Sequence, residues 1–213
     1  MTDTPSSETR DTDRTRRRYD RAARYYDALY WPAERLLIRR LRRDLWTRVV
    51  AGKILEIGAG TGENFEHHPA GAEVTGVDLS PRMLARAQRR VALSKARLEI
   101  READVQNLPF SDDCFDTAVA TFVFCSVPDP ARGLRELARV IRPGGRILLL
   151  EHVRIDLPIF GMMMDFADPL AVRISGAHMN RRTGRLVQSV MSNVVEERRG
   201  PLGMIRLIEI GVE

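Results

Sequence analysis

From Lys53 onward, short apolar runs alternate with segments of helical period. Residues 53–57, 73–78, 97–102, 115–124 and 146–153 read as five strands, each bounded by turn residues. Between them the pattern predicts a short helix after Gly62, a helix opened by Ser80-Pro81, and a helix over about 130–141. Ser80 is a good N-cap and Pro81 suits the first helical position, whereas Pro143-Gly144-Gly145 is a stop signal. After residue 153 come a Met-rich, partly helical stretch over 159–175, a helix over about 181–192, and two closing strands, 194–198 and 205–210, read as a terminal hairpin. Upstream, 13–50 is helical, with Tyr19, Tyr26, Leu29 and Tyr30 near one side and then Leu36, Leu37, Leu41 and Leu45. Pro32 is expected to break it in two. Residues 1–12 lack periodicity and read as a disordered tail, 13–50 as an amphipathic helical lid or membrane segment, and 51–213 as the main domain. Strands alternating with helices imply an α/β fold with a mostly parallel sheet covered on both faces.

Composition adds limits. With 213 residues the chain fits one domain with an appendage. The apolar stretches at 118–127 and 147–150 are too short to span a bilayer, which takes about 20 residues, and no secretory signal opens the chain, so a cytoplasmic location is expected. Two cysteines, Cys114 and Cys125, indicate neither a disulfide framework nor a zinc site, and no metal is expected. The net charge is +5, and the basic residues are 32 Arg against 2 Lys. Residues 14–48 hold twelve arginines and four acids. Guanidinium forks match phosphate oxygens, so this segment is either a solvated face or a surface for an anionic partner, nucleic acid or lipid.

The chemistry-bearing residues gather at the strand ends. Gly58, Gly60 and Gly62 follow the first strand, where glycine lets a ligand approach the backbone closely. A dinucleotide-binding loop looks similar. Two acids change the balance. Glu56 stands just inside the turn, suited to an amino group and repellent to pyrophosphate, and Asp78 ends the second strand where a carboxylate takes ribose hydroxyls. Asp104 ends the third strand, placed for an adenine amino group. Either aspartate alone also reads as a cap of the following turn; together they point to a nucleoside without pyrophosphate.

Glu56 to Gly62, Gly76-Val77-Asp78-Leu79-Ser80, Ala103-Asp104-Val105 with Leu108-Pro109-Phe110, and Arg142-Pro143-Gly144-Gly145 resemble the successive motifs of class I S-adenosylmethionine-dependent methyltransferases over about residues 50–155. Tyr19-Asp20-Arg21 with Tyr26-Asp27, the run 120–130, Glu151-His152-Val153-Arg154 and Asn180-Arg181-Arg182-Thr183 resemble more narrowly the small bacterial phosphatidylethanolamine N-methyltransferases, which are similar to quinone C-methyltransferases. The resemblance implies a Rossmann-like αβα sandwich: a seven-stranded, mostly parallel sheet with a C-terminal antiparallel hairpin and an N-terminal helical lid. It implies S-adenosyl-L-methionine as cofactor, with S-adenosyl-L-homocysteine as product, held by Tyr19, Glu56, Gly58, Gly60, Thr61, Asp78, Leu79, Met83, Asp104, Val105 and Phe122, with the segment 19–26 closing over it.

For an ethanolamine headgroup the amine must first lose a proton. Candidate groups are Glu151 and His152 at the end of the fifth strand and His178, with Tyr26 beside the reacting centre; His152 reads equally as a core histidine and His178 as a loop residue, and a reaction without a dedicated base stays open. Tyr19, Tyr26 and Tyr30 are candidates to hold a methylated ammonium against their ring faces, or are core residues of an amphipathic helix. His178, Arg181 and Arg182, with Arg173, are candidate headgroup and phosphate partners. The expected reaction is stepwise methylation of phosphatidylethanolamine to mono-, di- and, at its furthest, trimethylated (phosphatidylcholine) lipid, by an enzyme held peripherally on the anionic inner face of the cell membrane. Nucleic acid is not expected, because no nucleic-acid motif accompanies the arginines. A quinone or other small hydrophobic acceptor remains open, as does a non-enzymatic binding module with a decayed cofactor fold. The sequence sets no oligomeric state.

Overall fold

The computed structural model describes residues 7–155, 157–175, 177–200 and 203–213. Seven strands, β1 (Lys53–Ile57), β2 (Glu73–Asp78), β3 (Arg97–Glu102), β4 (Phe115–Thr121), β5 (Ile141–His152), β6 (Val194–Arg199) and β7 (Ile205–Gly211), form one sheet in the order β3-β2-β1-β4-β5-β7-β6. The first five run parallel, and β7 pairs antiparallel with both β5 and β6. This is the Rossmann-like αβα sandwich.

The sheet is covered on both faces because its central strands are apolar on both. Leu55, Ile57, Ala118, Ala120, Ile147 and Leu149 pack on one face against Leu134 and Leu137 of α5 (Pro130–Val140) and Val187 of α7 (Thr183–Val190). Their neighbours Ile54, Val119, Leu148 and Leu150 pack on the other against Leu45 and Trp46 of α3 (Arg39–Trp46). Adjacent residues facing opposite sides follow from the two-residue period of a strand. Between these strands, α4 (Pro81–Ala87) opens as its cap signal predicts, with Met83 N donating to Ser80 Oγ at 3.1 Å. From β1 the chain moves outward through β2 to β3 and then returns to lay β4 on the other side of β1. That reversal opens a crevice at the carboxyl ends of β1 and β4, where ligands settle in such sheets.

The N-terminal third departs from the expected layout. Helix α1 (Ser7–Ala22) starts inside the stretch expected to be a disordered tail; residues 1–6 lie outside the described residues. The break falls at residues 23–25, and Pro32 sits inside α2 (Tyr26–Ala33). The π-helical turn Glu34–Ile38 directly follows it. The helix runs on through this wider turn into α3 instead of stopping. Because α3 supplies Leu45 and Trp46 to the sheet's second core, it is a layer of the sandwich as well as part of the N-terminal segment.

Other boundaries shift for local reasons. β4 ends at Thr121 because Phe122 takes φ +58°, and the helix expected after Gly62 is a single tight turn, Phe65–His67. The Pro143-Gly144-Gly145 signal lies within β5, at an irregularity in its pairing with β4; α5 has already ended at Val140. Asn193, at φ +51°, takes the left-handed place after α7, beyond its end at Val190.

Candidate active site

The crevice is built from the ends of β1, β2 and β4. After Ile57 the chain turns through Gly58 (φ +67°) and Gly60 (φ +55°). A Cβ on Gly60 would face open space, with only Gly58 O within 4 Å, so this backbone is bare toward the crevice. Asp78 ties the loop down: its Oδ2 accepts from Gly60 N at 2.9 Å and its Oδ1 from Ser80 N at 2.8 Å. Burial nevertheless pushes its carboxyl up to about 6, against the pull of these two amides. On the β4 side, Phe122 N donates to Leu150 O at 2.8 Å, and the positive φ throws the Phe122–Phe124 turn across the crevice.

Nine residues expected at the cofactor line one cavity here: Tyr19, Gly58, Gly60, Asp78, Leu79, Met83, Asp104, Val105 and Phe122. Tyr26 lines it too. Thr15, Ser126, Val127 and Pro128 also line it, though no role was expected of them. The run 120–130 marked the last three only by resemblance; Thr15 carries no local signal.

Glu56 and Thr61 stand elsewhere. Glu56 is fully buried; its Oε1 accepts from Asn64 Nδ2 at 2.8 Å and its Oε2 pairs with His68 Nε2 at 3.0 Å. Through Asn64 and Thr121 this pair reaches Arg42, which bonds Thr121 Oγ1 at 2.8 Å and Glu34 at 2.9 Å. Glu56 is thus committed to joining the glycine loop to the N-terminal helices. Thr61 Oγ1 donates to Asp27 Oδ1 at 2.7 Å, and Ser80 Oγ donates to Asp20 Oδ1 at 2.6 Å. The two aspartates beside Tyr19 and Tyr26 therefore latch the N-terminal helices onto both cofactor-side loops.

The candidates for proton handling and the acceptor are spread more widely. Glu151 is fully buried behind the wall, with Oε1 accepting from Val123 N at 2.9 Å and Phe124 N at 3.0 Å. Among the described residues its Oε2 finds no hydrogen-bond partner, and burial pushes its carboxyl up to about 7. His152 does not line the cavity, and desolvation lowers its pKa. Tyr30 stacks on Tyr26 at 4.7 Å, one ring behind the wall. His178 pairs with Asp168 at 2.9 Å, and Arg181 Nη1 donates to Phe124 O at 2.6 Å and Val127 O at 2.8 Å. With its guanidinium bound to those carbonyls, Arg181 pins the cavity wall and is not directed at a phosphate. Arg182 and Arg173 are exposed and outside the cavity.

The lining carries two carboxylates, Asp78 and Asp104, and no lysine or arginine among the described residues. Such a wall repels a pyrophosphate and favours a neutral nucleoside joined to a cationic centre. With the bare backbone at Gly60, the residues present fit S-adenosylmethionine. The fold and cavity are those of an αβα nucleoside-binding protein.

Residues 55–149 match the family described as methyltransferase domain. The phosphatidylethanolamine N-methyltransferase of Cereibacter sphaeroides is 41% identical over 108 residues, 49% of this chain and 53% of that enzyme. The ubiquinone/menaquinone biosynthesis C-methyltransferase UbiE of Geobacter sp. strain M21 is 31% identical over 163 residues, 72% of this chain and 69% of that enzyme. The chain spans about half the length of the first curated relatives it matches. In structure, a solved S-adenosylmethionine-dependent methyltransferase from Thermotoga maritima superposes with TM-score 0.72 at 20% identity, over 92% of this chain and 99% of that one, a likeness of fold. The chain belongs to the class I S-adenosylmethionine-dependent methyltransferases.

Proposed function

We propose that the chain methylates the amine of phosphatidylethanolamine, stepwise toward the mono-, di- and trimethylated headgroups, at the anionic inner face of the cell membrane. The observation that carries this is the aromatic wall: Tyr19 and Tyr26, with ring centroids 6.5 Å apart, line the same cavity as the cofactor loop. The likeness to the Cereibacter enzyme supports it.

The bound cofactor supplies a methyl group on a sulfonium, open to displacement by a nucleophile. Asp78 and Asp104 would take the ribose hydroxyls and the adenine amino group, and the bare backbone at Gly60 would face the amino-acid end. Burial raises the phenols of Tyr19 and Tyr26 above their usual range, so both stay neutral. Their faces attract an ammonium by about 0.5 to 2 kcal/mol, which suits a neutral amine that becomes a cation at each transfer and gives up its proton to water before the next. Asp78 is held by backbone amides and Asp104 by Gln106, whose N donates to it at 2.9 Å, so neither is free to serve as a dedicated base. Glu151 and His152 lie outside the wall. The chain's part is then to hold the neutral amine in line with the methyl and shield it from water.

Purified protein given labelled cofactor and phosphatidylethanolamine in mixed micelles should pass label into the lipid extract. No label in lipid would end this reading. A second reading, C-methylation of a quinone ring, is favoured by the longer match to the Geobacter enzyme. Transfer of label to demethylmenaquinone and none to lipid would establish it.

A further inference from the structure

Helix α6 (Pro158–Ser175) is built inside out. Ile159, Met163, Phe166 and Leu170 follow at steps of four, three and four residues, with Met162 beside them, and so share one face of the helix. That face is outward: Phe166 is 91% exposed and the least exposed of the five, Leu170, is 61% exposed. The inner face carries the buried Asp168, and the half-exposed Asp165 stands at its edge, tied to Arg154. Asp165 accepts from Arg154 Nη2 at 2.7 Å, while Asp168 is buried, pairs with His178 and accepts from Met179 N at 2.6 Å. Gly161 lies so close to the Arg154 guanidinium that a Cβ there would stand 2.4 Å from it. A helix on a water-facing surface normally has the reverse arrangement. Polar bonds on its inner side hold this one with its oily side out.

We propose that α6 is the docking surface of this protein for an anionic phospholipid bilayer, its apolar stripe lying in the interface between headgroups and acyl chains. Arg173 continues the same stripe at the carboxyl end of the helix and is exposed, while Asp168 is buried and Asp165 is neutralised by Arg154. The stripe thus offers lipid an apolar surface ended by a cation, the pattern of an interfacial helix. The chain's net charge of +5 also favours an anionic surface over a second copy of itself. Unbranched methionines adapt to the irregular packing of acyl chains. No helix among the described residues is long and apolar enough to cross a membrane, so α6 lies on the bilayer and does not span it.

The position of α6 has a further consequence. Asp168 holds residues 178–180; His178 N donates to Cys125 O at 3.0 Å, and Arg181 grips Phe124 and Val127. A short chain of polar bonds therefore links the docked helix to the 122–128 wall of the cavity, setting that wall close to the lipid surface. This placement rests on the reading of the acceptor as a membrane lipid, but its test reads binding and not turnover.

The full chain is sedimented with vesicles of phosphatidylcholine, with and without phosphatidylglycerol. The wild type should bind the mixed vesicles, and Met163→Glu/Phe166→Glu should lower the partition constant about tenfold or more. Leu170→Ser, which removes apolar surface without adding charge, should lower it less. S-adenosylhomocysteine titration and melting temperature should be unchanged in both variants, since the substituted side chains are exposed. Wild-type binding that survives the glutamates, absence of binding by the wild type, or a concentration-dependent dimer that these substitutions dissolve would each overturn the proposal. Label reaching lipid in micelles without vesicle docking by α6 would sink this inference alone; docking without label in lipid would sink the lipid acceptor alone.

Discussion

Replacing Glu151 by glutamine tests how the buried wall support holds its proton. In the folded chain this carboxyl is pushed from its ordinary 4.5 up to about 7, first by desolvation, against the pull of the Phe124 and Val123 amides. The folded state therefore binds the proton more tightly than the unfolded state. The resulting stabilisation is complete below pH 4.5 and is lost as pH rises through about 7. Taking about 1.4 kcal/mol for each pH unit between 4.5 and about 7 gives about 3 kcal/mol in all. Glutamine keeps an acceptor for the two amides and never ionises. Urea unfolding of both proteins at pH 5 and pH 8 should show the wild type losing about 2 to 3 kcal/mol relative to the variant across that interval. Asp78, raised from 3.8 to about 6, moves stability in the same direction, but it is present in both proteins and cancels in the difference. Parallel pH profiles for the two proteins would refute the reasoning, because they would mean that Glu151 is ionised throughout and its amide partners outweigh its burial.

Four other substitutions read the site. Gly58→Ala would set a Cβ 2.4 Å from Val123 Cγ2 at φ +67°; it should cost about 1 to 3 kcal/mol in unfolding free energy and weaken S-adenosylhomocysteine binding, measured by urea titration and calorimetry. Asp78→Asn presents an amide N–H₂ toward Gly60 N or Ser80 N and should weaken that binding by about 2 to 3 kcal/mol; equal affinity would reject the ribose placement. Arg181→Met frees the Phe124 and Val127 carbonyls and should lower stability by about 1 to 3 kcal/mol while raising the S-adenosylhomocysteine dissociation constant; an unchanged constant would uncouple the 122–128 wall from binding. Arg42→Met leaves Glu34 without its ion partner and should cost about 3 to 5 kcal/mol, most of it recovered in the Arg42→Met/Glu34→Leu double variant; no recovery would show that the bonds to Asn64 and Thr121 matter more.

The sheet was legible in the chain because its signals are local. β1, β2 and β3 begin and end as predicted: β1 is a short run buried on both faces, and β3, at the sheet edge, alternates half-buried Leu98 and Ile100 with exposed charged residues. Ser80-Pro81 opens a helix for the same reason, since a cap needs only its own next three residues. Pro32 misled because a break is also a local reading, whereas the helix is carried through the π-turn into α3, which packs against β5. α1 carries charge on most of its length and gains its contacts from elsewhere: Asp20 meets Ser80, and Gln106 Nε2 donates to Thr12 Oγ1 at 3.1 Å.

The same division runs through the site. Sequence by itself determined the strand-end loops, the glycine turn, and the carboxylates Asp78 and Asp104, because a backbone turn and the residue ending a strand are settled by near neighbours. Tertiary structure alone decided which polar groups were left to meet a ligand. Glu56 has the sequence position of a ligand-binding acid, yet His68 and Asn64 claim both its oxygens. Arg181 looks like a phosphate partner, yet two carbonyls more than fifty residues away occupy it. A buried charge takes whatever partner folding brings within about 3 Å, and a one-dimensional pattern does not hold that distance.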